Sequence, residues 1–245
     1  LIKASDNNSG EMDILAGVEF TIKSKKDIDA YGSWEKAPIA KNAQGHTAAK
    51  LVTDNTGYAK SEELPYGTYI VRETKIPADH YQIPDFTVVI TEDSRVPQAW
   101  RIFNDEKFRA VIAMVKQDAE TGKTVALAGT TLKIRNLVTN EYVGYLEWNP
   151  TPKYVTEWTT DESGTVMTGK ELDPGRYQIE EITAPDGYVL NVSPVEFTVS
   201  SNTAYETLPD GSTPVITVIK QDTSVKGRIN VQKLGEVLSS VKTDK

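Results

Sequence analysis

The sequence predicts an all-β chain folded as two β-sandwiches in tandem, and three observations carry that reading. The chain repeats itself at a period of roughly 110 residues, too long for a solenoid unit and right for a domain. Short alternating runs separated by Asp, Asn and Gly clusters read as strands joined by tight hairpins. No stretch shows a convincing helical period. The expected domains are residues 1–107 and 108–225, joined with almost no linker near Lys107. Residues 226–245 are expected to form a linker and the first strand of a truncated third repeat.

Each element can be justified in chain order. The first copy opens Lys3-Ala-Ser-Asp6, passes Gly10, and continues Leu15-Ala-Gly-Val-Glu-Phe-Thr-Ile22. The second opens Lys116-Gln-Asp118, passes Gly122, and continues Leu127-Ala-Gly-Thr-Thr-Leu-Lys-Ile134. Thr53-Asp-Asn-Thr-Gly57 then matches Thr160-Asp-Glu-Ser-Gly164 as a turn. A Leu-x-x-Gly-x-Tyr turn follows in each copy (Leu64 to Tyr69, Leu172 to Tyr177) and leads into a strand. Phe86-Thr-Val88 matches Phe197-Thr-Val199, and each copy closes on a last strand. In the tail, Val225-Lys-Gly-Arg-Ile-Asn-Val-Gln-Lys233 resembles the entry to the second domain, with Lys233 standing where Lys116 stands; a flexible tail is the competing reading.

The two strands after the tyrosine turns are the most informative segments. Successive side chains of a strand face opposite sides. Tyr177, Ile179 and Glu181 therefore share one face, as do Tyr69, Val71 and Glu73 in the first copy. A carboxylate at an inward position, twice, needs a partner or a job.

Composition narrows the function classes. A net charge of −8 and a pI near 5.0 argue against nucleic acid, whose phosphates call for clustered Lys and Arg. No run of 18 or more apolar residues suits a membrane span. Zero cysteine excludes disulfides and thiolate metal sites. The opening Leu1-Ile-Lys3 is neither a secretory signal nor preceded by an initiator Met, so the chain reads as a piece of something longer.

The remaining constellations have plain readings beside sharper ones. His46 and His80 are the only histidines and have no Cys companions, so no metal site, cofactor or nucleophilic catalysis is expected. Asp6-x-Asn8-x-Gly10 has the start of a calcium loop without its remaining ligands, and reads as a turn. Asn7-Asn-Ser9 fits a glycosylation sequon that occurs readily by chance. Tyr142, Tyr145, Trp148, Tyr154 and Trp158 surround a hairpin at Asn149-Pro-Thr-Pro152, where aromatic pairs stabilise a sheet or offer a sugar- or peptide-binding face. The polar insertion Ser24 to Lys50, with Tyr31 and Trp34, is a long loop of the kind that sometimes binds ligands.

Taken together, Lys-x-Asp-x-x-Thr-Gly, Leu-Ala-Gly, Thr-Asp-x-x-Gly, Gly-x-Tyr-x-x-x-Glu and Ala-Pro-x-Gly-Tyr resemble the SpaA/CnaB family. These are prealbumin-like, inverse immunoglobulin domains of Gram-positive surface adhesins and sortase-assembled pili. The second domain carries the whole pattern, including Asp118-Ala-Glu-Thr-Gly122 and Ala184-Pro-Asp-Gly-Tyr188. The first departs from it: Asp6-Asn-Asn-Ser-Gly10 is one residue longer after its lysine, and Ile76-Pro-Ala-Asp-His-Tyr81 replaces the last turn.

The resemblance implies an intramolecular isopeptide bond between a first-strand lysine and a last-strand Asn or Asp. The side chains make that chemistry intelligible. Burial disfavours the charged forms of both amine and carboxyl. A protonated glutamate can then polarise the target carbonyl and shuttle protons, while fixed neighbours supply effective molarity. Such a site is consumed as it works, so the protein is not expected to be an enzyme. By position, the triads are Lys3, Glu73 and Asn104, and Lys116, Glu181 and Asp222. Asn104 shares a strand face with Trp100 and Ile102, and Lys116 with Ile112 and Met114. Aligning on the following lysine offers Gln221 in place of Asp222; strand parity places Lys220 on the Asp222 face. These triads imply the loss of one ammonia and one water.

The resemblance further implies a structural stalk or shaft module of a cell-wall-anchored surface protein or pilin. Its partners would be neighbouring repeats of the same protein, and sortase through regions outside this sequence. Its place would be the extracellular surface of a Gram-positive bacterium, with no membrane insertion of this segment. The alternative is an adhesin module that recognises a host matrix protein or glycan through the insertion or the aromatic hairpin. The chain shows no Tyr-Pro-Lys-Asn-like pilin linking motif; Thr151-Pro-Lys-Tyr154 is a distant echo.

Overall fold

A computed structural model describes residues 1–6, 12–91, 102–148 and 150–235, apart from the side chains of Asp6, Ile102 and Asn104. The first domain contains β1 (Ile2–Asp6), β2 (Met12–Ile14), β3 (Glu19–Ser24), α1 (Lys25–Tyr31), β4 (Leu51–Val52), β5 (Gly67–Lys75), β6 (Phe86–Ile90) and β7 (Ile102–Asp105). One sheet has the order β2-β1-β7, with β1 and β7 parallel. The other is antiparallel in the order β4-β3-β5-β6. Their inward residues, among them Val18, Phe20, Ile22, Leu51, Tyr69 and Val71, form one core.

The second domain contains β8 (Val111–Asp118), β9 (Thr131–Asn136), β10 (Tyr145–Trp148), β11 (Pro152–Val155), β12 (Trp158–Thr159) and β13 (Thr165–Met167). It continues with β14 (Gly175–Thr183), β15 (Tyr188–Val189), β16 (Val195–Val199), β17 (Glu206–Thr207) and β18 (Pro214–Ser224). β8 and β18 pair in parallel within the sheet β13-β8-β18-β15, facing the sheet β12-β9-β14-β16. Ile112, Met114, Leu132, Ile134, Tyr177, Ile179, Ile216 and Val218 meet between them.

First and last strands run side by side and parallel in both domains, which is what an end-to-end stitch requires. The expected inward faces are present: Tyr69, Val71 and Glu73 are buried, and so are Tyr177, Ile179 and Glu181. The insertion differs from the expected loop. Lys25–Tyr31 forms a helix that stops at Gly32, whose positive φ of 78° lets its N–H reach the Ile28 carbonyl. Seven residues with no buried member carry too little periodicity to be read in sequence. Residues 226–235 form no strand, and Ile229 and Val231 are exposed at 91% and 86%. A lone strand has no sheet to complete it. The Asn7–Ser9 sequon and the side chains of the calcium-loop-like run lie outside the described residues, as does Asn149 of the hairpin turn.

Candidate functional site

Each sandwich buries a lysine between two carboxylates. In the first domain Lys3 Nζ lies 3.3 Å from Glu73 Oε1 and in close contact with Asp105 Oδ1, all three side chains being fully buried. In the second, Lys116 Nζ donates to Glu181 Oε1 at 3.0 Å and lies 2.7 Å from Asp222 Oδ1, again with no exposed side-chain surface. Neither Asp105 nor Asp222 has a properly formed hydrogen bond on either carboxylate oxygen. The amines thus abut the Asp105 and Asp222 carboxylates without hydrogen-bond geometry.

The repeated motifs hold these lysines in place. Lys3 N–H donates to the Gly57 carbonyl at 2.8 Å, and Lys116 N–H to that of Gly164 at 2.9 Å, so each Thr-Asp-x-x-Gly turn grips the strand that carries the buried lysine. A side chain at Gly164 would put its Cβ 1.8 Å from the Val125 carbonyl oxygen, and one at Gly57 would sit 2.5 Å from that of Lys3. The threonines of the same turns tie in the Leu-Ala-Gly segments: Thr53 accepts from Val18 N–H and donates to the Leu15 carbonyl, and Thr160 does likewise for Thr130 and Leu127. The Leu-x-x-Gly-x-Tyr turns close on a tyrosine hydroxyl that donates four residues back, Tyr69 to Pro65 at 2.7 Å and Tyr177 to Asp173 at 2.9 Å. These contacts set the register that turns Glu73 and Glu181 inward.

Burial controls the electrostatics. Desolvation pushes Glu73 upward, opposed by the Ile83 N–H bonded to Oε2 at 3.1 Å and by Lys3. Glu181 is pushed up to about 7, first by desolvation and then by its carboxylate neighbour Asp222, with Lys116 opposing. Both glutamates are therefore disposed to hold a proton beside the amine.

Two of the expected residues of the first triad and all three of the second can be placed. Lys3 and Glu73 come together, as do Lys116, Glu181 and Asp222. The alternative Gln221 is exposed and donates to Gln117 at 2.7 Å, away from Lys116 Nζ. The expected Asn104 side chain lies outside the described residues; the carboxylate found beside Lys3 is Asp105, one position further along β7. The parallel register explains the shift, since Lys3 pairs with Phe103 and Lys116 with Lys220, which places each acceptor two residues beyond its lysine's partner. A spacing signal existed. Asp105 precedes Lys116 by 11 residues and Asp222 precedes Lys233 by the same 11.

The other candidates settle elsewhere. Lys233 is exposed in the tail. His80 donates or accepts at Ser5 Oγ, 3.1 Å away, near the junction of the domains. Among the described residues no group of three metal-ligating side chains gathers, and no helix is long and apolar enough to cross a membrane. The hairpin aromatics divide: Trp158 is buried in the core against Tyr145, while Trp148 and Tyr154 are 72% and 58% exposed.

Comparison with known proteins agrees with this fold. Residues 2–101 and 110–211 each match the family model described as the SpaA prealbumin-like fold domain. No curated protein matches the chain significantly. Among solved structures, the Bacillus anthracis TIE protein aligns with a TM-score of 0.59 at 19% identity, over 91% of this chain and 33% of its own. A Streptococcal ancillary pilin aligns at 20% identity with a TM-score of 0.36, over 91% of this chain and 61% of its own. The shaft pilin SpaA of Lactobacillus rhamnosus GG aligns at 19% identity with a TM-score of 0.35, over 93% and 97%. The chain spans about a third of the length of the first and under two thirds of the second.

Proposed function

The chain belongs to the SpaA family of prealbumin-like domains, and on that premise we propose that it is a stalk segment of a Gram-positive surface protein or pilin. Each of its domains is stitched by an isopeptide bond, Lys3 to Asp105 and Lys116 to Asp222. The observation that carries this is the twofold burial of an amine against a carboxylate with a buried glutamate beside the amine. In each domain the amine nitrogen attacks the Asp carboxyl carbon, the C–O bond breaks, and water leaves. Glu73 or Glu181 passes the protons. The step runs once per domain, so the protein matures itself and is not an enzyme; no cofactor takes part.

Tension applied at the termini would enter at Lys3, cross to Asp105, pass to Lys116 and leave at Asp222. Most of each sandwich lies off that path. An amide also resists reduction, which suits a cysteine-free protein outside the cell. In this proposal the surface is extracellular and cell-wall-anchored, sortase acts on regions outside this sequence, and Lys233 opens a third repeat whose sheet orders residues 226–235. Single-molecule pulling tests the stalk reading: the predicted trace lacks the extension of either domain's enclosed loop. Full extension of both domains at modest force would refute it.

An adhesin role is the second reading, and the exposed Trp148 and Tyr154 on the β10–β11 hairpin favour it there. The insertion offers less, because its Trp34 ring is already covered by Lys23 and Arg72, at 4.9 and 4.4 Å from its centroid.

A further inference from the structure

Domain two buries a second lysine that the cross-link does not use. Lys220 is fully buried on β18, two residues before Asp222 and directly opposite Lys116 in the parallel register. Its Nζ donates to the Ser193 carbonyl just ahead of β16. The charged groups that act on it are Glu181 from β14, Lys116 from β8 and Asp222 from its own strand. Asp118, the third buried acid of this domain and the one on β8, is bound instead to its own turn at Glu120 and Thr121 and to Tyr188. In the first domain the equivalent position, opposite Lys3, is Phe103.

The two sites therefore differ in charge. Lys3 faces two carboxylates alone, whereas Lys116 and Lys220 together face two. We propose that Lys220 is a positioning residue of the domain-two site, its buried ammonium balancing the Glu181 and Asp222 carboxylates and so setting the pH at which the cross-link forms. The inference rests on the cross-linking reading for that domain. Starting from the ammonium–carboxylate pair, Lys116 nitrogen bonds to the Asp222 carbon. Two protons leave the nitrogen and depart with one carboxylate oxygen as water, and nothing is oxidised. Glu181 must both take and give a proton in that sequence, which works best when it titrates near the working pH. Burial lowers the pKa of Lys220, and its two carboxylate neighbours oppose that shift. Removing its charge makes every proton of the cluster harder to remove, so the rate profile moves to higher pH.

The test uses the full chain, synthesised and held in denaturant, then refolded by dilution over a pH series. Aliquots quenched in acid are read by intact mass and by mapping of the linked peptides. Lys220→Met removes the charge, and Lys220→Gln removes it while keeping a donor for the Ser193 carbonyl. Both variants are expected to shift the domain-two profile upward by about one pH unit, a tenfold rate change on either limb. The domain-one profile stays fixed as an internal control. A purely structural role would lower the yield without moving the profile, and an unmoved profile in Lys220→Gln overturns the proposal. If wild-type domain two loses no water, the cross-linking reading is what fails. The carboxyl-carbon NMR titration of Glu181 in wild type and Lys220→Gln then decides the Lys220 proposal alone, an unchanged midpoint contradicting it.

Discussion

Glu180 and Glu181 are neighbours on β14 with opposite electrostatic fates, because a strand sends alternate side chains to opposite faces. Glu180 faces outward, where Arg135 at 2.7 Å and then Tyr142 and Gln178 hold it down to about 2. Glu181 faces inward and is pushed up to about 7. The signs of their pH effects follow. Glu180 stabilises the fold above its ordinary value of 4.5, and that contribution disappears as pH falls through about 2. Glu181 keeps its proton longer in the folded chain than in the unfolded one. In the uncross-linked chain it favours the fold below pH 4.5 and loses that contribution as pH rises through about 7. Denaturant titration of uncross-linked domain two should show stability falling across that upper window. At the same scale, Glu73→Ala and Glu181→Ala should each abolish the water loss of their own domain only, read by intact mass. Asp105→Ala should abolish the domain-one loss and Asn104→Ala should not. The lysines and glutamates were legible in the sequence because they occur twice in matched motifs. Asp105 was missed because the short strand β7 offers polar residues at both parities, Asn104 and Asp105, and the pairing with β1 decides between them.

The insertion shows how an element without sequence periodicity is still fastened. Lys23 is buried and donates to the carbonyls of Trp34 and Ala37 at 2.7 and 2.6 Å, with the Trp34 ring over its ammonium. Arg72 covers the same ring, donating from Nε and Nη2 to Asp85 and from Nη1 to Glu35. Losing the Lys23 charge would strand two carbonyls, so Lys23→Met should loosen the insertion by about 1–3 kcal/mol. Hydrogen exchange should report faster exchange around Ile28–Ala40 with the β5 and β6 amides unchanged. Strand identity was legible here through alternation, as in β5 and β14. Helix α1 was not, since its stop depends on Gly32 and its attachment on Lys23, neither of which has a periodic signature.

On the scale of the whole molecule, the two domains meet at a built joint. Asp79, held at a φ of 58°, accepts from Ser200 Oγ at 2.8 Å, Ser201 N–H at 2.9 Å and Ser201 Oγ at 3.2 Å. Its carbonyl takes the Phe108 N–H, and the Phe108 ring packs between Tyr81 and Tyr205 at 6.3 and 5.3 Å. Such a joint limits bending between the domains. Asp79→Ala should broaden the distribution of interdomain angles seen by small-angle scattering, while each domain melts close to its wild-type temperature. The tandem repeat was legible from its period; the joint was not, because Asp79 and Tyr81 lie in a turn where the first copy departs from the pattern and their partners Ser200, Ser201 and Tyr205 lie more than 100 residues away in the chain.

The proposed stitches would matter most at this scale. Each would close a loop of roughly 100 residues, which by analogy with disulfides would add about 4–5 kcal/mol, less any strain in the folded state. The intact mass of the natively folded chain, with the linked peptides mapped, tests them most directly. The predicted result is a deficit of two waters, one in a Lys3–Asp105 peptide pair and one in a Lys116–Asp222 pair. The full theoretical mass, with both lysine amines free to react after unfolding, would contradict the account.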